Sequence, residues 1–245
     1  MILSSICTTA LAQKNDVWKN NKGVTIGFVT HQSLKWEEDK NDCQFDSNFG
    51  FSLTTGTQYL WPRSEGWAGK RIKVGVDARW FDVSYINYKK NIKVNGTEIK
   101  TTRFDDYYDD EEKDYGRHQL HLGVGVGPTV SIAPFGNSDG QVRFLRANLY
   151  AHFNPSASAV LYKDPDGDTH ASWAFVPALD YGLNIQWRFI TLGVEARWGK
   201  AKYNSLISDD EDDWDYEDGN ATFKGKDKKT EFTNASFRIN LGFRW

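Results

Sequence analysis

Residues 235–245 read Ala-Ser-Phe-Arg-Ile-Asn-Leu-Gly-Phe-Arg-Trp, and they alternate strictly. Ala235, Phe237, Ile239, Leu241, Phe243 and Trp245 are apolar. Ser236, Arg238, Asn240, Gly242 and Arg244 are polar, cationic or glycine. Side chains of a β-strand point alternately to its two faces, so this stretch predicts a strand with one greasy and one polar face.

Seven further segments carry the same period. Val24, Ile26 and Phe28 stand against Thr25, Gly27 and His31. Phe49, Phe51, Leu53 and Tyr59 stand against Gly50, Ser52, Thr54, Gly56 and Gln58. Ile72, Val74, Val76, Ala78 and Trp80 oppose Lys73, Gly75, Asp77 and Arg79. Leu120 to Ile132, Leu145 to Phe153, Trp173 to Trp187 and Ile190 to Trp198 repeat the pattern, which makes eight predicted strands. Between them, polar stretches expected as loops cover roughly 33–47, 87–115 and 205–230, with a mid-length one at 162–172. Short turns are expected around 61–69, 134–140 and 187–189. Long connections at one end and short ones at the other are the pattern of a transmembrane up-and-down barrel. An even strand number puts both termini at the short-turn end, expected to be periplasmic.

Composition limits the alternatives. With 30 basic and 33 acidic side chains the formal net charge is -3, which argues against a nucleic-acid partner. Mean hydropathy is -0.62, and no apolar run approaches the roughly 18 residues of a membrane helix. Yet the chain holds 10 Trp, 11 Tyr and 15 Phe, more than an ordinary polar surface explains. A membrane barrel reconciles the two, because only alternate strand residues meet lipid. A soluble barrel would turn its apolar set inward instead. Gly27, Gly56, Gly75, Gly123, Gly125, Gly127, Gly182, Gly193 and Gly242 all fall on polar faces. Small residues suit the crowded inside of a narrow barrel and would merely weaken a wet outside. Tyr59, Trp61, Trp187 and Trp245 near the short turns, with Trp80, Trp173 and Trp198 toward the other ends, form two aromatic bands of the kind a bilayer selects. The fold class expected is therefore all-β: an eight-stranded antiparallel up-and-down transmembrane β-barrel with a polar interior and long acidic extracellular loops.

The opening Met-Ile-Leu-Ser-Ser-Ile-Cys-Thr-Thr-Ala-Leu-Ala ends in the small-x-small pattern of a signal-peptidase site. Residues 1–12 are expected to be a signal-peptide remnant, 13–21 a short N-terminal segment and 22–245 the barrel. Removal of Cys7 with the signal would leave Cys43 as a lone thiol.

These features together resemble the small outer-membrane β-barrels of Gram-negative bacteria, of the outer-membrane protein A and X type. The final Phe237 to Trp245 is similar to the terminal signature by which such proteins are recognised for insertion. Gly50 to Trp61 followed by Lys73 to Tyr88 also resembles barrels of Bacteroidota. The resemblance implies a bacterial outer-membrane location and spans roles from adhesin to inert anchor, small-solute pore and lipid-modifying enzyme.

Inside the barrel the alternation places Lys73, Asp77, Arg79, His121, Arg146, His152, Asp180, Glu195, Arg197, Arg238 and Arg244. Buried charges must pair or be solvated. A charge network of Asp77, Arg79, Arg146, Asp180, Glu195, Arg197 and Arg238 is therefore expected to fill the lumen, with a narrow polar pathway as the other reading. The Gly-Val-Gly-Val-Gly at 123–127 lies in a strand with no helix after it, so it is not a dinucleotide loop. Asp164 to His170 opens like a calcium loop but has Phe175 where a bidentate Glu is needed, and reads as a polar turn. No G-x-S-x-G or H-E-x-x-H accompanies the histidines. Two acidic runs include Asp105, Asp106, Asp109 and Asp110, and Asp209, Asp210, Asp212 and Asp213. Interleaved Tyr107, Tyr108, Trp214 and Tyr216 make them candidate loops for a partner or ion as well as solvated coil. The function expected is a monomeric, non-enzymatic outer-membrane barrel without cofactor or bound metal. Its loops would meet a partner, weakly held divalent cations or lipopolysaccharide, and its wall outer-membrane lipid. The alternatives are a lipid-modifying enzyme and a narrow small-solute channel.

Overall fold

The computed structural model describes residues 17–18, 21–38, 41–61, 71–94, 97–99, 117–135, 141–163, 169–204, 214–217, 220–223 and 229–245. In chain order the strands are β1 (Lys22–Glu38), β2 (Asn41–Trp61), β3 (Ile72–Val94), β4 (Thr97–Ile99), β5 (Arg117–Ile132), β6 (Leu145–Lys163), β7 (Thr169–Trp187), β8 (Ile190–Asn204), β9 (Trp214–Glu217), β10 (Asn220–Phe223) and β11 (Lys229–Arg244). Eight of them close a barrel in the order β2-β1-β11-β8-β7-β6-β5-β3, with β2 pairing β3. The short β4 folds back on the end of β3, and β9 with β10 forms a separate hairpin. Closure leaves no free sheet edge among the eight, which is what a lipid environment demands of backbone N–H and C=O groups. The start of β1 meets the end of the chain: Lys22 N–H donates to Trp245 O at 3.2 Å and Trp245 N–H to Lys22 O at 2.9 Å.

Outward positions are apolar along the barrel. Leu122 and Ile185 are each 52% exposed, and Phe28, Phe51, Phe153, Leu192, Ile239 and Leu241 stand beside them on the outer wall. Inward positions are polar: Asp180 is 0% and Glu195 2% exposed. A protein that buries its carboxylates and bares its phenylalanines is built for a nonpolar solvent. The barrel is transmembrane.

The strands run further than the sequence pattern suggested. The stretch 33–47, expected as a loop, is mostly paired strand, from Ser33↔Asp46 to Glu38↔Asn41. β3 likewise continues through 87–94, and β6 and β7 reach Lys163 and Thr169. In this extension, at the end of the barrel away from Lys22 and Trp245, the polarity inverts. Leu34, Phe45, Ala201, Tyr203 and Phe232 point inward into an apolar cluster, while Lys200, Lys202 and Glu231 are exposed. The extension is packed as a water-soluble sheet would be, so its outer face is polar enough to read as loop.

Several β-bulges reset the alternation, one of them in β2, where Asn48 and Phe49 both face out. The register between β1 and β11 shifts between Val29 and His31. Thr30 and His31 both face out and Gln32 faces in, so His31 is not on the inner face as expected. In β3, Trp80 and Phe81 both face out, because the register with β5 jumps from Arg79↔Gly125 to Asp82↔Gly123. Two residues then oppose one, the definition of a bulge.

Candidate functional site

The lumen is where the polar side chains converge. At its centre stand three guanidinium and three carboxylate groups. Arg79 comes from β3, Arg197 from β8 and Arg238 from β11. They face Asp82 of β3, Asp180 of β7 and Glu195 of β8. Arg79 Nη1 donates to Asp82 Oδ2 and to Asp180 Oδ2, each at 3.0 Å, and its Nη2 pairs with Glu195. Arg197 forks onto Asp180, with Nε to Oδ1 at 2.7 Å and Nη2 to Oδ2 at 3.0 Å, and also bonds Asp82. Arg238 Nη1 reaches Asp82 Oδ1 at 3.2 Å. Asn154 Nδ2 ties Asp82 to Asp180 at 2.9 and 2.7 Å, and Tyr150 Oη donates to Glu195 Oε2 at 2.8 Å. Each carboxylate therefore meets at least two guanidinium groups, and the six charges sum to zero. Such a set is tolerable in a low-dielectric interior only because every member is multiply paired.

Of the seven residues expected in the network, five are in this cluster: Arg79, Asp180, Glu195, Arg197 and Arg238. Asp77 stands apart, with Arg244 Nη2 at 3.6 Å and His152 Nε2 at 3.7 Å. Arg146 is also apart, near the start of β1. Its Nη2 donates to Gln186 Oε1 at 2.6 Å and its Nη1 to Val17 O at 3.2 Å, so it holds the N-terminal segment against the mouth. Lys73 lies over the Trp18 ring at 4.6 Å. Asp82 was missed, since a strict alternation from Arg79 sends it outward. The adjacent Trp80-Phe81 was the available sign of a bulge.

A second, uncharged layer lies toward the extension. Gln32 Nε2 donates to Tyr88 Oη at 3.0 Å and Gln119 Oε1 at 2.6 Å. Gln119 Nε2 in turn donates to Ser158 Oγ and Tyr203 Oη, both at 2.9 Å. Beyond it Phe232 packs between Phe45 and Tyr203, tilted on the first and edge-on to the second, with centroids 6.3 and 5.9 Å away. Charge, amide and aromatic layers thus succeed one another along the lumen. On the outer face of the extension, burial works against an ionised Asp46. Hydrogen bonds from Lys93 Nζ and Gln44 Nε2, each at 2.6 Å, together with the Lys93 charge, outweigh it and hold the carboxyl below its ordinary range.

The histidines are dispersed. His118 Nδ1 lies 2.8 Å from Tyr85 Oη, His121 is buried beside Gln32, His170 stacks on Tyr162, and His31 is exposed. The Gly123 to Gly127 stretch lies within β5, as expected. Asp105, Asp106, Asp109, Asp110, Asp209, Asp210, Asp212 and Asp213 lie outside the described residues, as do Cys7 and residues 164–168. No group of three or more metal-ligating side chains occurs among the described residues.

The architecture is that of a small transmembrane β-barrel, the class to which the outer-membrane barrels of Gram-negative bacteria belong. A scan against protein-family models finds no match, and a search of curated proteins finds none either. Solved structures do match. The attachment invasion locus protein Ail of Yersinia pestis, solved with the heparin analogue sucrose octasulfate, is 10% identical. That match has a TM-score of 0.44 and covers 92% of this chain and 99% of that one. The outer membrane protease OmpT of Escherichia coli is 9% identical, with a TM-score of 0.43 and coverage of 92% and 97%. Neisserial surface protein A is 10% identical, with a TM-score of 0.40 and coverage of 91% and 97%. At such identities the likeness concerns the fold alone. These three give no support to the narrower likeness to Bacteroidota barrels.

Proposed function

We propose that this chain is a bacterial outer-membrane barrel that works through its cell-surface end rather than through its lumen. The observation that carries this reading is the filled interior. A six-charge cluster, an amide layer and an aromatic layer follow one another across an eight-stranded barrel, a width that side chains fill. The termini face the periplasm. The strand extension then stands above the outer leaflet as a raised, self-packed collar that presents the connections at 100–116 and 205–228. The role is non-enzymatic: the acidic connections meet a cationic partner or divalent cations bridging lipopolysaccharide, while the wall contacts outer-membrane lipid and the barrel acts as a monomer.

The folded chain reconstituted in planar bilayers tests it. No stepwise conductance is expected for the wild type, and calcium in the millimolar range should change Trp214 fluorescence. Asn at Asp209, Asp210, Asp212 and Asp213 should abolish that response. Discrete channel openings in the wild type would favour the pore reading instead. Release of fatty acid from lipopolysaccharide or phospholipid would favour an enzyme.

A further inference from the structure

The outer wall of the extension is not polar all the way round. On β8 the apolar run that starts at Ile190 ends with Trp198, and Lys200 and Lys202 follow it, exposed on the same face. Glu231 of β11 and Thr30 and His31 of β1 are exposed as well. β7 behaves differently. From Trp187 to Ala171 its outer face carries no charged residue and, Tyr181 apart, no polar one; the first is Thr169, where the strand begins. Trp173 and Phe175 lie further from the Trp187↔Ile190 pair than Lys200 does, on the strand beside it.

Trp173 and Phe175 are each 66% exposed, more than any other large apolar residue among those described. Register joins them to a wider patch. Phe175 pairs with Ala157 and Trp173 with Ala159 of β6, and these two pair with Leu122 and Leu120 of β5. Leu120, Leu122 and Leu161 are exposed too. A water-facing surface rarely leaves contiguous apolar side chains of this kind bare. No polar row separates the patch from Leu179, Leu183 and Ile185, which belong to the lipid-facing wall.

We infer that outer-leaflet acyl chains cover the outer face of β5, β6 and β7 up to Trp173, so that the lipid boundary slopes around the barrel. The inference rests on the outer-membrane placement proposed above. Continuity selects the occupant, because the patch is an unbroken extension of the wall that lipid already covers. On β8 the boundary falls between Trp198 and Lys200. On β7 the stretch from Pro177 to Trp173, at roughly 3.3 Å per residue and a strand tilt of about 40°, carries it about 10 Å higher. A hydrophobic wall of unequal height is accommodated by leaning of the protein or by local thickening of the bilayer. The collar then stands clear of lipid on its β8, β11 and β1 side, where the charged and polar residues face out.

The test places single nitroxide labels on the folded chain in phosphatidylcholine vesicles, with Cys7 and Cys43 replaced by Ser. Trp173→Cys and Phe175→Cys report on the patch, Lys200→Cys on the neighbouring strand and Ile185→Cys on the membrane wall. Collisions with oxygen, which concentrates in hydrocarbon, are compared with collisions with a water-soluble nickel chelate. The labels replacing Trp173 and Phe175 should match the one at Ile185, with oxygen dominant, and the label at Lys200 should show the reverse. Nickel access at Trp173 and Phe175 equal to that at Lys200 would overturn the inference. Shielding from both reagents, the mark of a protein cover, would overturn it as well. Nickel access at Ile185 would instead overturn the membrane placement itself. A measurement without labels uses phosphatidylcholine brominated on its acyl chains. Its quenching of tryptophan fluorescence should fall in Trp173→Phe, and an unchanged quenched fraction would refute the lipid cover.

Discussion

At the scale of single residues, Asp82 carries more of the interior than any neighbour, since all three guanidinium groups of the cluster bond to it. Asp82→Asn leaves three cations facing two carboxylates inside a barrel. Removing one partner from a buried ionic set costs about 3–5 kcal/mol. Urea unfolding of the barrel in detergent, read by heat-modifiable migration, should show that loss. Asp77→Asn, whose ion pairs are 3.6 and 3.7 Å long, should cost well under half as much. Equal losses would mean that the cluster does not act as a unit. Gly182 illustrates a different constraint. It pairs with Tyr150, and a Cβ there would run into the phenol ring, so Gly182→Ala should break the Tyr150–Glu195 bond. In the extension, the carboxyl of Asp46 titrates below its ordinary value of 3.8 in the folded state. Its contribution is therefore complete above that pH and declines as the pH falls below it. Asp46→Asn should be less stable than the wild type at pH 6, and the gap should close on acidification through that range.

At the scale of strands, the eight membrane segments and their inward faces were legible in the sequence. A lipid-facing strand must alternate, and Leu122, Ile185 and Ile239 do so without interruption. Two things were not legible. Beyond the bilayer the solvent on the outside changes from lipid to water, so Leu34 and Phe45 mean inward where Leu53 means outward. A reading that equates apolar with one face loses the strand there and reports a loop. Bulges were the second loss. One added residue in β3 moves Asp82 from lipid to lumen, and nothing in the composition of the strand marks it except two aromatic residues in succession. Because the bulge is an insertion, deletion of Phe81 should leave both Arg79 and Asp82 facing in and yield a folded barrel. Deletion of Val83 should instead turn Ser84 and Ile86 outward and abolish heat-modifiable folding. The terminal strand offers a second check. Leu241→Arg places a charge in lipid and should cost about 2–4 kcal/mol near the midplane, whereas Asn240→Arg, facing the lumen, should cost less. Comparable losses would reverse the assignment of faces.

At the scale of the whole molecule, the barrel is two materials in one wall: an inside-out segment for lipid and a conventional one for water. The change in polarity sets how deeply the barrel sits, because sliding by even two residues one way would drag Lys200 into hydrocarbon, and sliding the other way would lift Trp198 out of it. The charge cluster has a consequence in time as well as in space. Its members arrive in the order Arg79, Asp82, Asp180, Glu195, Arg197, Arg238 along the chain, and the last cation rides on the strand that shuts the cylinder. Before β11 docks, Asp82 and Glu195 lack Arg238, and the half-built cluster carries an unbalanced negative charge. The final strand therefore brings the missing charge at the moment it seals the wall, so an unfinished barrel stays electrically marked and a finished one does not. Arg238→Met should accordingly lengthen the lifetime of the open, protease-sensitive assembly intermediate, and a variant that closes as fast as the wild type would show that seam pairing alone drives the last step.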